Sequence, residues 1–166
     1  NSNQTDRMKL ARLKEALSYN PRTGIFRWKI RAADNTHIGS VAGNTSVYGY
    51  RRIRLDGILY WAHRLAWFYH YGAWPKHEID HINCDKADNR IANLRDVTRK
   101  MNKQNLRTAQ GHSKTGVLGV YPSLRKFIAK INTDGKVFHL GTFDTVAAAH
   151  RAYVKAKRKL HPAGTL

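Results

Sequence analysis

Acidic residues are scarce in this 166-residue chain: 11 Asp and Glu stand against 30 Lys and Arg, a formal net charge of +19. A charge of that size repels itself in a compact state and calls for a polyanionic partner, of which nucleic acid is the leading kind. Cysteine is nearly missing. The single Cys84 excludes an internal disulfide and a Cys-rich zinc site, and it fits a reducing compartment. No apolar run reaches the roughly 18 residues of a membrane helix, and no helical segment has a clean lipid-facing stripe, so no membrane partner is expected. The first residues, NSNQTDRMKLARLKEAL, hold no apolar core of signal-peptide length, and the expected location is the cytoplasm.

What is present is unevenly spread. Residues 1–98 carry 16 Lys and Arg against 9 acids, whereas residues 99–166 carry 14 against 2. The acids gather around Asp80–Asp96, and a bound divalent cation would give that gathering a reason.

Local patterns predict a mixed chain. Residues 6–18 place Met8, Leu10, Leu13 and Leu17 near helical spacing, and a turn at Pro21–Gly24 leads into a strand. Residues 31–49 read as loop with a short strand. Asp56-Gly57 between RRIRL and ILYWA predicts a two-residue hairpin, followed by a short buried helix at 63–71 that Gly72 and Pro75 end. Around EIDHINCDKADNRIANLRDV the pattern is strand, irregular loop, strand, and Thr98 can cap a helix from Arg99 to about Leu106. A basic linker is expected at 107–115. Beyond it come three strand-like runs, a turn at Asp134-Gly135, and a helix capped by Thr145 with Ala147, Ala148, Ala152 and Ala156 along a small-residue face.

Asp80-His81 is the chemical centre. Hydrolysis of a phosphodiester needs a base for water, a cation for the charge on phosphate and leaving oxygen, and fixed positions for both. A histidine titrates near neutrality and suits the first task; an aspartate is a hard oxygen ligand for Mg²⁺ or Mn²⁺. On a regular strand, Asp80 and His81 would point to opposite faces, so a bend or a loop position is expected for one of them. Asn102, one turn into its helix, can complete the metal site with Asp80. Asn93, in the second strand, can bond the loop backbone and hold His81 in orientation.

Asp80-His81, Asn93 twelve residues past the His, and Asn102 nine further resemble the HNH (ββα-metal) nuclease motif, in the form found in phage and intron-encoded homing endonucleases, where Asn replaces the final His. HRLAW…IDHINCDKADNRIANLR carries the resemblance over residues 63–105. It implies one divalent ion, Mg²⁺ or Mn²⁺, on Asp80 and Asn102, His81 activating water, Asn93 orienting the loop, and products with a 5′-phosphate and a 3′-hydroxyl. One position departs from the family pattern: Cys84 stands where Gly is common. Residues 116–162, with GVLGVYPS…FIAKI…KVFHLGTFDTVAAAHRAY, resemble the plant ethylene-response-factor (APETALA-type) DNA-binding domain, which lays a three-stranded sheet in the major groove. Strand alternation puts Phe127, Ala129, Ile131, Phe138 and Leu140 toward the helix. Tyr121, Ser123, Lys130, Asn132 and His139 are left to meet DNA.

The expected architecture is α+β: a ββα-metal HNH core with an N-terminal helix and β-hairpins in residues 1–106, a linker at 107–115, and a three-stranded antiparallel sheet packed on one helix in 116–166. The expected activity is site-specific, metal-dependent DNA cleavage, nicking one strand. Double-stranded DNA is the partner, with no membrane and no obligate protein partner, and a monomer rather than a dimer. Further DNA contacts are expected from Arg51, Arg52, Arg54, Arg95, Arg107 and Lys114. His63 and His70 are expected as packed, hydrogen-bonded residues, His77 as exposed, and Trp28, Trp61, Trp67 and Trp74 as core. Two competing classes stand beside the nuclease: a DNA-binding regulator with a vestigial site, and an RNA-binding protein. The second would show stacking aromatics on an open sheet face.

Overall fold

The computed structural model describes residues 8–34, 36–106, 109 and 111–161. The chain forms two compact units, Asn1–Thr98 and Arg99–Leu166. The division falls before the third helix rather than at the expected linker. The reason lies in the second unit, where that helix and its tail are tied to the C-terminal elements by a Lys100–Asp134 ion pair and by Lys157 Nζ donating to the Leu106 carbonyl.

In the first unit, helix α1 (Leu10–Ala16) runs directly into strand β1 (Leu17–Asn20), which pairs antiparallel with β2 (Ile25–Trp28). The helix is shorter than its apolar spacing predicts. Leu17 is needed opposite Trp28 in the ladder, so the backbone turns extended there while the side chain stays buried. Strands β3 (Asn44–Thr45), β4 (Arg51–Leu55) and β5 (Ile58–Trp61) form an antiparallel sheet. Asp56 and Gly57 take φ of 50° and 78°, as the predicted two-residue hairpin requires. Helix α2 (Ala62–Tyr71) follows without a break, and β6 (Glu78–His81) pairs antiparallel with β7 (Leu94–Val97). One core holds them together: Leu13, Leu17, Phe26, Ile53, Leu55, Tyr60 and Leu65 are nearly or fully buried. Of the four tryptophans, Trp28 is buried, while Trp61, Trp67 and Trp74 are half-buried. His70 differs from expectation: it is exposed, edge-on to Tyr71, because the helix turns that side away from the core.

The second unit holds α3 (Arg99–Gln104), β8 (Val120–Ser123), β9 (Lys126–Thr133), β10 (Lys136–Phe143) and α4 (Val146–Leu160). The sheet order is β10-β9-β8, all antiparallel, and α4 packs on one face. Thr145 caps α4 through its hydroxyl, which accepts from the Ala148 N–H at 3.1 Å. The buried stripe of α4 is Ala149, Tyr153 and Lys157, one residue around from the expected alanine face, and Ala147 is exposed. Phe138 also departs from expectation. It pairs with Ile131 on the helix side, yet it is 46% exposed, near the hairpin tip of an edge strand and just before a bulge between His139 and Gly141.

Candidate active site

Asp80 and His81 both remain in β6, and both are buried, so neither the bend nor the loop position foreseen from alternation is needed. The ribbon is covered on both faces, and each face takes one of the two side chains. Asp80 sits directly across the ladder from Arg95. The guanidinium donates to its Oδ2 from Nε at 2.8 Å and from a terminal nitrogen at 2.6 Å. Arg95, expected on DNA phosphate, is thus engaged with the carboxylate; the ladder register alone enforces that meeting.

His81 ends the strand. Its Nε2 lies 3.1 Å from Oδ1 of Asn89, a residue almost fully buried. An amide oxygen only accepts, so with Oδ1 in this place the imidazole donates from Nε2 and keeps its lone pair on Nδ1. The first hairpin holds Asn89 in turn. Tyr19 donates its hydroxyl to the Asn89 carbonyl at 2.7 Å, and the Ile91 N–H donates to the Pro21 carbonyl. Gly24, at φ +72°, lies so close that a Cβ there would stand 2.4 Å from the Asn89 carbonyl carbon.

The loop after His81 is a chain of side-chain turns. The Cys84 N–H returns to the His81 carbonyl at 2.8 Å, and Cys84 takes φ 65°, the left-handed conformation that glycine favours. Asn93 lies in a 3₁₀ turn, Ile91–Asn93, just before β7 rather than within it. Its Oδ1 accepts from the Asn83 N–H at 3.0 Å and its Nδ2 donates to the Asp88 carbonyl at 2.8 Å, so one amide fastens both ends of the loop.

The acids gathered in this stretch have separate protein partners. Asp88 is bound by Arg90 and Asn83, and the hydrogen bond from Arg90 holds its carboxyl below the usual range. Asp96 accepts from the N–H groups of Lys76 and His77. Among the described residues, no three of His, Cys, Asp or Glu gather in one place. The Asp80 carboxylate offers hard oxygen donors, the kind that Mg²⁺ or Mn²⁺ takes. Asn102 lies half-buried on α3, in the second unit.

Rings surround His81. His63 meets it edge-on with centroids 5.3 Å apart, and Tyr50 lies 5.9 Å away. His63 is buried as expected, but its Nδ1 has no hydrogen-bond partner among the described residues. Burial, then the neighbouring His81 and Arg64, pushes it down to about 3, so it stays neutral. Burial, then Asp80 and Glu78, raises the Tyr50 phenol.

The other expected DNA contacts divide. Arg51 turns to the core side of β4 and donates to the Ala42 and Gly43 carbonyls, whereas Arg52 and Arg54 share the outer side. His77 is about half exposed and faces Asp96. In the second unit, register puts Tyr121, Ser123, Lys130, Asn132 and His139 on one face of the sheet, opposite α4. Tyr121 is 52% exposed, and the Lys130 ammonium lies 5.8 Å from its ring. Lys114 is exposed; Arg107 lies outside the described residues. Asn89 has no signal of its own in the sequence, because only the fold brings it to His81.

Residues 60–104, from the end of β5 through α3, match the family model described as HNH endonuclease. No curated protein and no solved structure matches the chain. No helix among the described residues is long and apolar enough to cross a membrane. Residues 60–104 are an HNH endonuclease domain, and the protein that carries it is an HNH-type endonuclease acting on DNA.

Proposed function

We propose that the protein is a homing-type, site-specific endonuclease that nicks one strand of duplex DNA, leaving a 5′-phosphate and a 3′-hydroxyl. The observation that carries this reading is a buried histidine at the end of β6, fixed through Nε2 by Asn89 beside an aspartate. His81 takes the proton of the attacking water on Nδ1. Asn89 holds the ring so that this atom faces one way throughout. Asn93 fastens the loop that follows His81, so that the base waits in place. Asp80 and Asn102 would hold the divalent ion, which supplies Lewis-acid stabilisation of the phosphate charge. Arg95 pairs with Asp80 through two guanidinium nitrogens, so the carboxylate is not buried without a counter-charge.

The outer face of the β8–β10 sheet is the reader in this proposal. Its resemblance to the ethylene-response-factor domain and its row of Tyr121, Ser123, Lys130, Asn132 and His139 support that role. Phosphate contacts supply most of the affinity and this face most of the selectivity. One catalytic centre per chain favours a nick by a monomer.

The test is supercoiled plasmid incubated with Mg²⁺ or Mn²⁺ and with EDTA, beside His81→Ala. Open circles from the wild type alone, and only with metal, are expected. Binding without conversion under either metal would instead support a regulator with an inactive site.

A further inference from the structure

Tyr50, His63 and Trp61 form one ring cluster beside His81, and two cations lie on it. Tyr50 carries the Lys86 ammonium 5.0 Å from its ring centre. His63 stacks on Trp61, and Trp61 carries the Arg52 guanidinium at 5.8 Å. Lys86 is exposed, Arg52 is half-exposed, and both come from the first unit. Lys86 gives one hydrogen bond to the Tyr48 carbonyl, and an ammonium has three protons to give.

Arg52 also lines a cleft of about 700 Å³ with Arg31 and Arg54. The one acid on that cleft wall, Asp56, is bound by Arg12 in a two-point ion pair. The cleft therefore presents unneutralised positive charge, and it starts beside the same arginine that sits on Trp61. A long cation laid on an aromatic face loses less freedom when it takes a phosphate than one waving in water.

We propose that Arg52 and Lys86, the two cations laid on the ring cluster about His81, grip backbone phosphates next to the scissile one, and that the strand continues past Arg54 and Arg31 along the cleft. This assignment rests on the endonuclease reading. It leaves out Arg95, whose guanidinium is held by the buried Asp80 carboxylate, and Arg51, which turns to the core side of β4.

The full-length protein is tested against a mixed-sequence 30-base-pair duplex (about three turns) over a series of salt concentrations. Arg52→Ala and Lys86→Ala should each flatten the slope of log affinity against log salt by about 0.9, and the pair by about twice that. Lys86→Arg should restore the slope and Lys86→Gln should not. On a duplex with the mapped nick site, a neutral methylphosphonate next to the nick should weaken wild type about tenfold. The same change should cost one of the two Ala variants nothing further. An unchanged slope in the double variant, or additive losses with the methylphosphonate, overturns the assignment. Wild type that shows the full slope but nicks no plasmid overturns the endonuclease reading and leaves the slope result standing on its own.

Discussion

At the scale of single residues, the site depends on amides as much as on charges. Asn89 touches His81 and nothing that reacts, so its removal should act through orientation. Asn89→Ala should lower the nicking kcat by about 10- to 100-fold with KM nearly unchanged, read from single-site plasmid nicking. An equal loss in KM would mean that Asn89 supports DNA binding instead. His63 makes a second residue-scale prediction. Its ordinary value is 6.5, and the fold takes it to about 3, so the unfolded chain binds the extra proton. Stability from this residue is complete above about pH 6.5 and falls as pH drops toward 3; at pH 5 the loss is on the order of 2 kcal/mol. Urea midpoints at pH 5 and 7.5 should converge in His63→Leu relative to wild type. Neither effect was legible in the sequence: HRLAW says that a histidine sits in an aromatic helix, but not that its ring meets His81 or that one nitrogen has no partner among the described residues.

At the scale of elements, turn chemistry was readable and long-range pairing was not. Asp56-Gly57, Asp134-Gly135 and the Thr145 cap are local signals, set within a few residues, and each stands where the sequence put it. The end of α1 is decided by Trp28, eleven residues after Leu17, which no local pattern encodes. The same holds for the first hairpin. It reads as an ordinary Pro–Gly turn, yet it is the buttress of Asn89 through Tyr19 and Gly24. Gly24→Ala should therefore destabilise by about 2 kcal/mol and slow nicking by tenfold or more, although Gly24 is remote in sequence from every reacting group. Normal activity in a folded Gly24→Ala protein would separate the hairpin from the site. Asn93 makes the complementary case: its role in fastening the loop was legible from spacing, while its 3₁₀ position was not, since three residues are too few to show a period.

At the scale of the whole molecule, charge is divided by task. The first unit combines its cations with nine acids and uses several of both internally, in the Arg95–Asp80, Arg90–Asp88 and Arg12–Asp56 pairs. Residues 99–166 have 14 Lys and Arg with only two acids, and both acids meet lysines. Overall composition announced a polyanion partner but could not say which cations are already engaged. If the second unit reads sequence, Tyr121→Ala, Lys130→Ala and His139→Ala combined should spread the mapped nicks over more sites while metal-dependent nicking persists. An unchanged nick map would move selectivity to the first unit.

Cys84 has a practical consequence. It is the chain's only thiol, it is exposed, and it stands three positions beyond His81 in a turn whose backbone is tied to that residue. A maleimide dye would therefore attach at one place without any engineered substitution, beside the reacting centre. Its emission should change as a DNA strand arrives, so that arrival and bond breaking could be timed separately in one stopped-flow trace.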